Sequence, residues 1–258
     1  MSYVLKLVVT VAVTVPAALL TIIFGFFDPY GKFVYGITRF WVWTILTAGG
    51  VTVKLMGLNR IDKKQQYVFM VNHQSNLDIA VLIQALSAFQ LRWIAKRELL
   101  WVPFFGWALW AAKHITVDRD NLSDAVKSLK RAQKRMKSGI SLVIFPEGTR
   151  GGTGNLLPFK RGGFLLPLKA QTPIVPVTIR GSGAILPKGD WRLRRGTVDV
   201  VIDEPVAVTD YRPGNLGELA ERVREIIAKN LRPISQVATE RGAQTMAAST
   251  KLETTAQS

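Results

Sequence analysis

The sequence predicts an α/β fold: a largely buried sheet with flanking helices, preceded by an N-terminal membrane-embedded helical hairpin. Three observations carry this expectation. Residues 7–27 contain no charged side chain. A second uncharged stretch, residues 40–53, follows closely. From residue 65 onward, short apolar runs alternate with helical stretches, the pattern of strands and helices packed in layers.

The first uncharged run, bracketed by Lys6 and Asp28, would span about 31 Å as a helix, enough to cross a hydrocarbon core. Pro16 allows a bend within it. The second run has 14 residues, short for an independent span, and Gly49-Gly50 weakens its end. Trp41 and Trp43 suit a membrane interface. A re-entrant or shallow hairpin is the reading preferred over two full spans, over a pair of buried core helices, and over a signal peptide, for which no small-residue cleavage site follows. Lys54, Arg60, Lys63 and Lys64 come next. They place the remaining chain on the cytoplasmic side by the positive-inside tendency, or touch anionic headgroups.

The runs at 67–71, 91–95, 114–117, 141–145, 174–179 and 197–202 read as strands. Residues 78–87, 121–138 and 163–170 read as helices between them. In 121–138 an apolar stripe of Val126, Leu129, Ala132 and Met136 faces a basic side of Lys127, Lys130, Arg131, Lys134, Arg135 and Lys137. That side is either a solvated face or a contact for anionic lipid or an acidic carrier protein. Residues 215–229 form a closing helix through Leu216, Leu219, Val223, Ile226 and Ile227. Residues 236–258 are polar, lack periodicity and read as a disordered tail. The expected division is therefore 1–60, membrane-associated helices; 61–235, a globular domain; and 236–258, the tail.

Composition narrows the partners. The 258 residues carry 34 Lys+Arg against 18 Asp+Glu, a net charge of +16, and 48% are hydrophobic. Such a balance points to an anionic partner. Nucleic acid is an unfavoured one, because no RNP, zinc-finger or helix-turn-helix signal is present. The absence of cysteine excludes disulfides, zinc-thiolate sites and a cysteine nucleophile.

The segment NHQSNLD (72–78) follows a predicted strand and opens a predicted helix. On one straight helix His73 and Asp78 would stand about 140° apart, so they meet only across a turn. Ser75 and Asn76 supply that turn or a cap. A carboxylate so placed fixes one imidazole tautomer and leaves the other nitrogen free as a base. Ser75-x-x-Asp78 also resembles a capping box, in which Asp78 only finishes the helix. Further along, Pro146 and Gly148 force a tight turn in PEGTR (146–150) at a strand end, where ligand sites lie in such sheets. Arg150 offers a planar fork for phosphate. Lys160 and Arg161 precede Gly162-Gly163 and an apolar helix, which makes either an anion cradle or a solvated turn. The run WRLRR (191–195) is either a membrane-surface contact or a solvated loop.

Four blocks in order now resemble the glycerophospholipid acyltransferase family, the group containing bacterial 1-acylglycerol-3-phosphate acyltransferases. They are the His-x4-Asp pair His73–Asp78, the stretch from Lys96 through Pro103 and Gly106 to Asp118-Arg119, FPEGTR (145–150), and TPIVPV (172–177). The resemblance implies a glycerolphosphate acyltransferase-like fold with residues 61–235 as the catalytic domain. It implies His73 as base and Asp78 as its orienter, with direct attack of a glycerol hydroxyl on an acyl thioester. It assigns Arg119, Glu147, Gly148, Thr149 and Arg150 to acceptor binding. Lys96, Lys160 and Arg161 join them by charge and placement. Pro173, Ile174 and Pro176 are expected to shape an acyl pocket. The expected partners are membrane lipids, lysophosphatidic acid, and an acyl carrier protein or coenzyme A thioester, at the cytoplasmic face of the inner membrane. No cofactor or metal is expected. Another lyso-lipid acceptor, and a non-catalytic lipid-binding role, are the alternatives.

Overall fold

The computed structural model describes residues 3–102, 105–118, 122–151 and 156–231. Pro103, Arg119 and the tail expected at 236–258 lie outside them. In chain order the elements are α1 (Tyr3–Gly25), α2 (Lys32–Gly49), β1 (Val51–Met56), β2 (Val68–Val71), α3 (Leu77–Ala85), β3 (Leu91–Lys96), α4 (Phe105–Ala111), β4 (Ile115–Val117), α5 (Leu122–Lys137), β5 (Ser141–Ile144), α6 (Leu165–Ala170), β6 (Ile174–Arg180), α7 (Ser182–Ile185), β7 (Gly196–Ile202) and α8 (Leu216–Leu231).

The seven strands form one sheet in the order β1-β7-β6-β2-β5-β3-β4. Strands β6, β2, β5, β3 and β4 run parallel; β7 is antiparallel to β6, and β1 is parallel to β7. Central parallel strands are covered on both faces and so read as unbroken apolar runs. Accordingly Val68–Val71 and Ser141–Ile144 are buried throughout. Phe69, Val71, Val143 and Val177 face a core shared with Val42 and Leu46 of α2 and with Val81 and Leu82 of α3. Val68, Met70, Leu142 and Ile144 face a second core with Ala132 and Met136 of α5 and Leu219, Val223 and Ile227 of α8. The basic side chains Lys127, Lys130, Lys134 and Lys137 of α5 are exposed.

The second apolar stretch is divided differently from the expectation. Helix α2 starts at Lys32 and stops at Gly49. Gly50 takes a left-handed conformation (φ 70°), and its N–H closes the last turn onto the carbonyls of Leu46 and Thr47. Residues 51–56 then form the edge strand β1, paired with β7. The boundary expected at residue 60 therefore cuts off a strand of the sheet. Apolar residues continue without interruption from helix into strand, which hides the change of period from 3.6 to 2.

The hairpin lies against the body rather than projecting from it. Helix α1 packs on α2 and α4, and α2 packs on α3 and β1. Trp41 donates its ring N–H to Thr14 across the pair (2.9 Å). The Asp28 carboxylate accepts the N–H groups of Phe33 and Val34, free donors at the start of α2. Arg92, wholly buried at the start of β3, donates to the Tyr30 carbonyl (2.7 Å) and lies over the Tyr35 ring. Among the described residues α1 is the one helix long and apolar enough to cross a membrane, and only 11% of Val8–Gly25 is buried. Its exposed Val8, Val11, Val15, Leu19 and Ile23 continue into Phe26, Phe27, Trp107 and Trp110.

Candidate active site

The C-terminal ends of β2 and β5, neighbours in the sheet, carry the central constellation. Asn72 ends β2 by exchanging two hydrogen bonds with Ile179 of β6, donating to its carbonyl (2.9 Å) and accepting its N–H (2.7 Å). The chain then turns, and His73 Nδ1 meets Asp78 Oδ2 at 2.8 Å. Asp78 is the second residue of α3 and fully buried. The same oxygen accepts the N–H groups of Gln74 (2.7 Å) and Ser75 (2.9 Å). The Ser75 hydroxyl accepts the Leu77 N–H and donates to the Leu186 carbonyl (2.6 Å). One carboxylate oxygen therefore both shapes the turn and holds the ring.

Asp78 Oδ2 already accepts two backbone N–H groups, so it accepts from Nδ1 as well, and the tautomer with the proton there leaves Nε2 as the basic nitrogen. The imidazole stacks on Phe145, with ring centroids 3.9 Å apart and planes 14° from parallel. Asp78 fixes one edge of the ring and Phe145 one face. Phe145 stands in the FPEGTR run, yet nothing in the sequence marks it as more than the end of a strand.

The PEGTR turn is tied to the histidine from two sides. Glu147 Oε1 accepts the His73 N–H (2.7 Å), and Gly151 donates to the His73 carbonyl (2.9 Å). Gly148, at φ 74°, closes the turn by donating to the Phe145 carbonyl. Gly148, Thr149 and Arg150 thus lie on a segment bracketed by bonds to the histidine backbone. Among the described residues Arg150 has no ion-pair partner. Lys96 is exposed at the C-terminal end of β3, two strand spacings (about 10 Å) from β2. The Lys160 N–H donates to the Pro146 carbonyl (2.8 Å), which brings its loop alongside the same turn.

With this geometry in view, a family model described as Acyltransferase matches residues 52–180. The 1-acyl-sn-glycerol-3-phosphate acyltransferase of Pseudomonas aeruginosa is 35% identical over 202 residues, 77% of this chain and 76% of that protein. This chain belongs to the acyltransferase family. The ovine 1-acyl-sn-glycerol-3-phosphate acyltransferase alpha is 36% identical over 187 residues, 72% of this chain but 65% of that protein. The match thus spans slightly under two thirds of the mammalian relative. Among solved structures, the 1-acyl-sn-glycerophosphate acyltransferase PlsC of Thermotoga maritima superposes with a TM-score of 0.70 at 26% identity, covering 90% of this chain and 96% of that one.

The acyltransferase match begins inside β1 and ends with β6, so the α1–α2 hairpin lies before it and β7 and α8 after it. Within this acyltransferase domain several expected site residues stand elsewhere or act otherwise. Glu147 is 3% exposed, and both its oxygens are occupied by main-chain donors, Oε1 by His73 and Oε2 by Leu157 (2.9 Å). It braces two loops through these bonds. Burial pushes its carboxyl above the usual range, and the two N–H donors pull the other way. The Arg161 guanidinium packs beside Gly217 of α8, and the Cβ that Gly217 lacks would sit 3.4 Å from it. It is turned toward that helix rather than toward His73.

Of the expected acyl-pocket residues, Pro173 and Ile174 lie at the far end of the strand pair from His73, and Pro176 lies part-way along it. Pro173 and Ile174 open β6, where Ile174 pairs with Val68 at the start of β2. Ile174 is wholly buried in the core under α8. Pro176 sits opposite Met70, where β6 passes from its Val206 bridge to the β7 ladder, and its carbonyl accepts the Asp203 N–H. A proline fits there because no neighbour needs its missing donor.

Proposed function

We propose that this chain transfers a fatty acyl group from an acyl thioester to the free hydroxyl of 1-acyl-sn-glycerol 3-phosphate, giving phosphatidic acid. The observation that carries the reading is the 2.8 Å contact of His73 Nδ1 with the buried Asp78 carboxylate. It leaves Nε2 as a base beside a turn that presents Arg150. In the reaction Nε2 takes the hydroxyl proton as that oxygen attacks the thioester carbonyl. Asp78 stabilises the resulting imidazolium. The tetrahedral intermediate then expels the thiolate, which takes the proton from His73, so no covalent enzyme intermediate forms. Arg150 and Lys96 are the cations placed to hold the acceptor phosphate, with Thr149 beside them. Both an acyl carrier protein and coenzyme A fit the donor role.

The exposed length of α1 supports a hairpin lying in one leaflet, and the cations Lys54, Arg60, Lys63 and Lys64 that follow it support a catalytic domain on the cytoplasmic face of the inner membrane. The test is a substrate panel with the full chain in vesicles. It crosses carrier-protein and coenzyme A thioesters with lysophosphatidic acid, other lysophospholipids and a lyso-aminolipid. Phosphatidic acid as the dominant product, absent with His73→Ala, is the expected result. Preferred turnover of an acceptor without a phosphate monoester would replace this acceptor with another.

A further inference from the structure

The loop between α7 and β7 carries the WRLRR run. Its Trp191 is 84% exposed, the highest value among the large apolar side chains of the described residues. The loop is ordered around one acid. Asp190 donates its N–H to the Pro187 carbonyl. Its carboxylate accepts the Arg192 N–H (2.9 Å) and Arg192 Nε, and pairs with Arg194 (3.1 Å). Arg194 also donates its N–H to the Ile185 carbonyl (3.0 Å). A turn so cross-linked holds the Trp191 indole in solvent instead of letting it fold back onto the body. Lys188, Arg192, Arg194 and Arg195 outnumber the one carboxylate in residues 187–195 by three charges.

The loop is also fastened to the hairpin. Lys6 of α1 donates to both the Gly49 and Leu193 carbonyls (3.1 Å each). The Leu193 side chain lies against Gly49, and Arg195 lies beside Gly50. Trp191 therefore stands near the N-terminal end of α1. At the other end Gly25 packs against Ala111 of α4, beside Trp107 and Trp110, which are half exposed. Exposed indoles thus bracket both ends of an apolar helix about 34 Å long. Indole rings favour the level at which hydrocarbon meets headgroups.

We infer that residues 187–195 form a second membrane contact that seats on an anionic bilayer surface, with Trp191 inserted at headgroup depth and the surrounding cations paired with lipid phosphates. The inference rests on the membrane reading of α1 given above. It has a link to the chemistry, because Leu186, just before the loop, accepts the Ser75 hydroxyl of the catalytic turn. Docking of this loop would set the height of the His73 opening above the lipid.

Because the chain has no cysteine, Trp191→Cys gives a unique labelling point for a polarity-sensitive fluorophore. Lys137→Cys, on the α5 side of the sheet, serves as the control. Labelled full-length chain is mixed with vesicles of phosphatidylcholine alone and of phosphatidylcholine with phosphatidylglycerol. A blue shift at position 191 on the mixed vesicles, with none at 137, is expected. Lys188→Gln with Arg195→Gln should lower partitioning onto the mixed vesicles about five-fold per charge and leave phosphatidylcholine binding nearly unchanged. If the unlabelled protein binds neither vesicle, the membrane reading fails and takes this one with it. If it binds and the 191 probe still reports water, this inference alone is overturned. It is overturned likewise if the probe shifts only with an added acidic protein.

Discussion

Asp78→Asn isolates the charge of the orienting residue while keeping its shape. Asp78 Oδ2 accepts three N–H groups at 2.7–2.9 Å, two from the backbone and one from His73. An asparagine oxygen can still receive those donors, so the turn should survive with a stability loss of about 1–2 kcal/mol, the difference between charged and neutral acceptors. What disappears is the carboxylate opposite the imidazolium. A charge-assisted hydrogen bond is roughly twice as strong as a neutral one, and general-base catalysis as a whole contributes about 10²–10⁴-fold. A fall in kcat of about 10²–10³-fold is expected, with KM for the acceptor changed little. The assay is initial-rate kinetics in vesicles, paired with thermal unfolding of the same preparations. A kcat within about three-fold of wild type, together with a lower Tm, would refute the argument: Asp78 would then be a helix cap and His73 a loop residue.

Four further outcomes follow from the same geometry. Glu147→Gln places an amide N–H against a main-chain donor and leaves one bond unmade. Unfolding measurements should show about 1–3 kcal/mol lost, with kcat reduced through the displaced His73 turn. Arg150→Gln should raise KM for a phosphate-bearing lyso-lipid by ten-fold or more while leaving kcat nearly intact, as steady-state kinetics will show. His114 is partly buried, and loss of solvent, with the Arg92 charge nearby, holds its imidazole down at about 3; an unfolded histidine titrates near about 6.5. The unfolded chain therefore takes up the proton first. Stability from this residue is complete above pH of about 6.5 and falls by up to about 1.4 kcal/mol per unit as pH drops toward about 3. His114→Gln should flatten denaturation curves in that window. Arg92→Met removes the donor to Tyr30, and hydrogen exchange should quicken across residues 28–34 with little change in the sheet.

Much of the catalytic half was legible because its signals are local. All six strands expected after residue 65 are present, since buried strands advertise themselves as apolar runs. The His73–Asp78 turn could be foreseen because five residues of spacing exclude a straight helix. Features that depend on register were not legible. Ile174 and His73 both flank strands of one parallel pair, yet they stand at opposite ends of it, and only the pairing of Val68 with Ile174 reveals this. Glu147 reads as a binding acid in a turn; that it also ties the turn to a second loop depends on Leu157, ten residues further on. Arg92 stands in a run read only as a strand, and its burial depends on a hairpin contributed by residues about 60 positions earlier. Strand β1 was masked by the apolar helix running into it.

The shared oxygen of Asp78 has an evolutionary consequence. A chain drifting toward inactivity could lose His73 with little harm to its fold, because the carboxylate would keep Gln74 and Ser75 as donors. Losing Asp78 first to an apolar residue would strip the partner from three donors at once in a partly buried turn. Descendants of this protein that abandon catalysis should therefore keep the aspartate long after the histidine has gone. An aspartate surviving alone at that position would mark an ancestor that once turned over substrate.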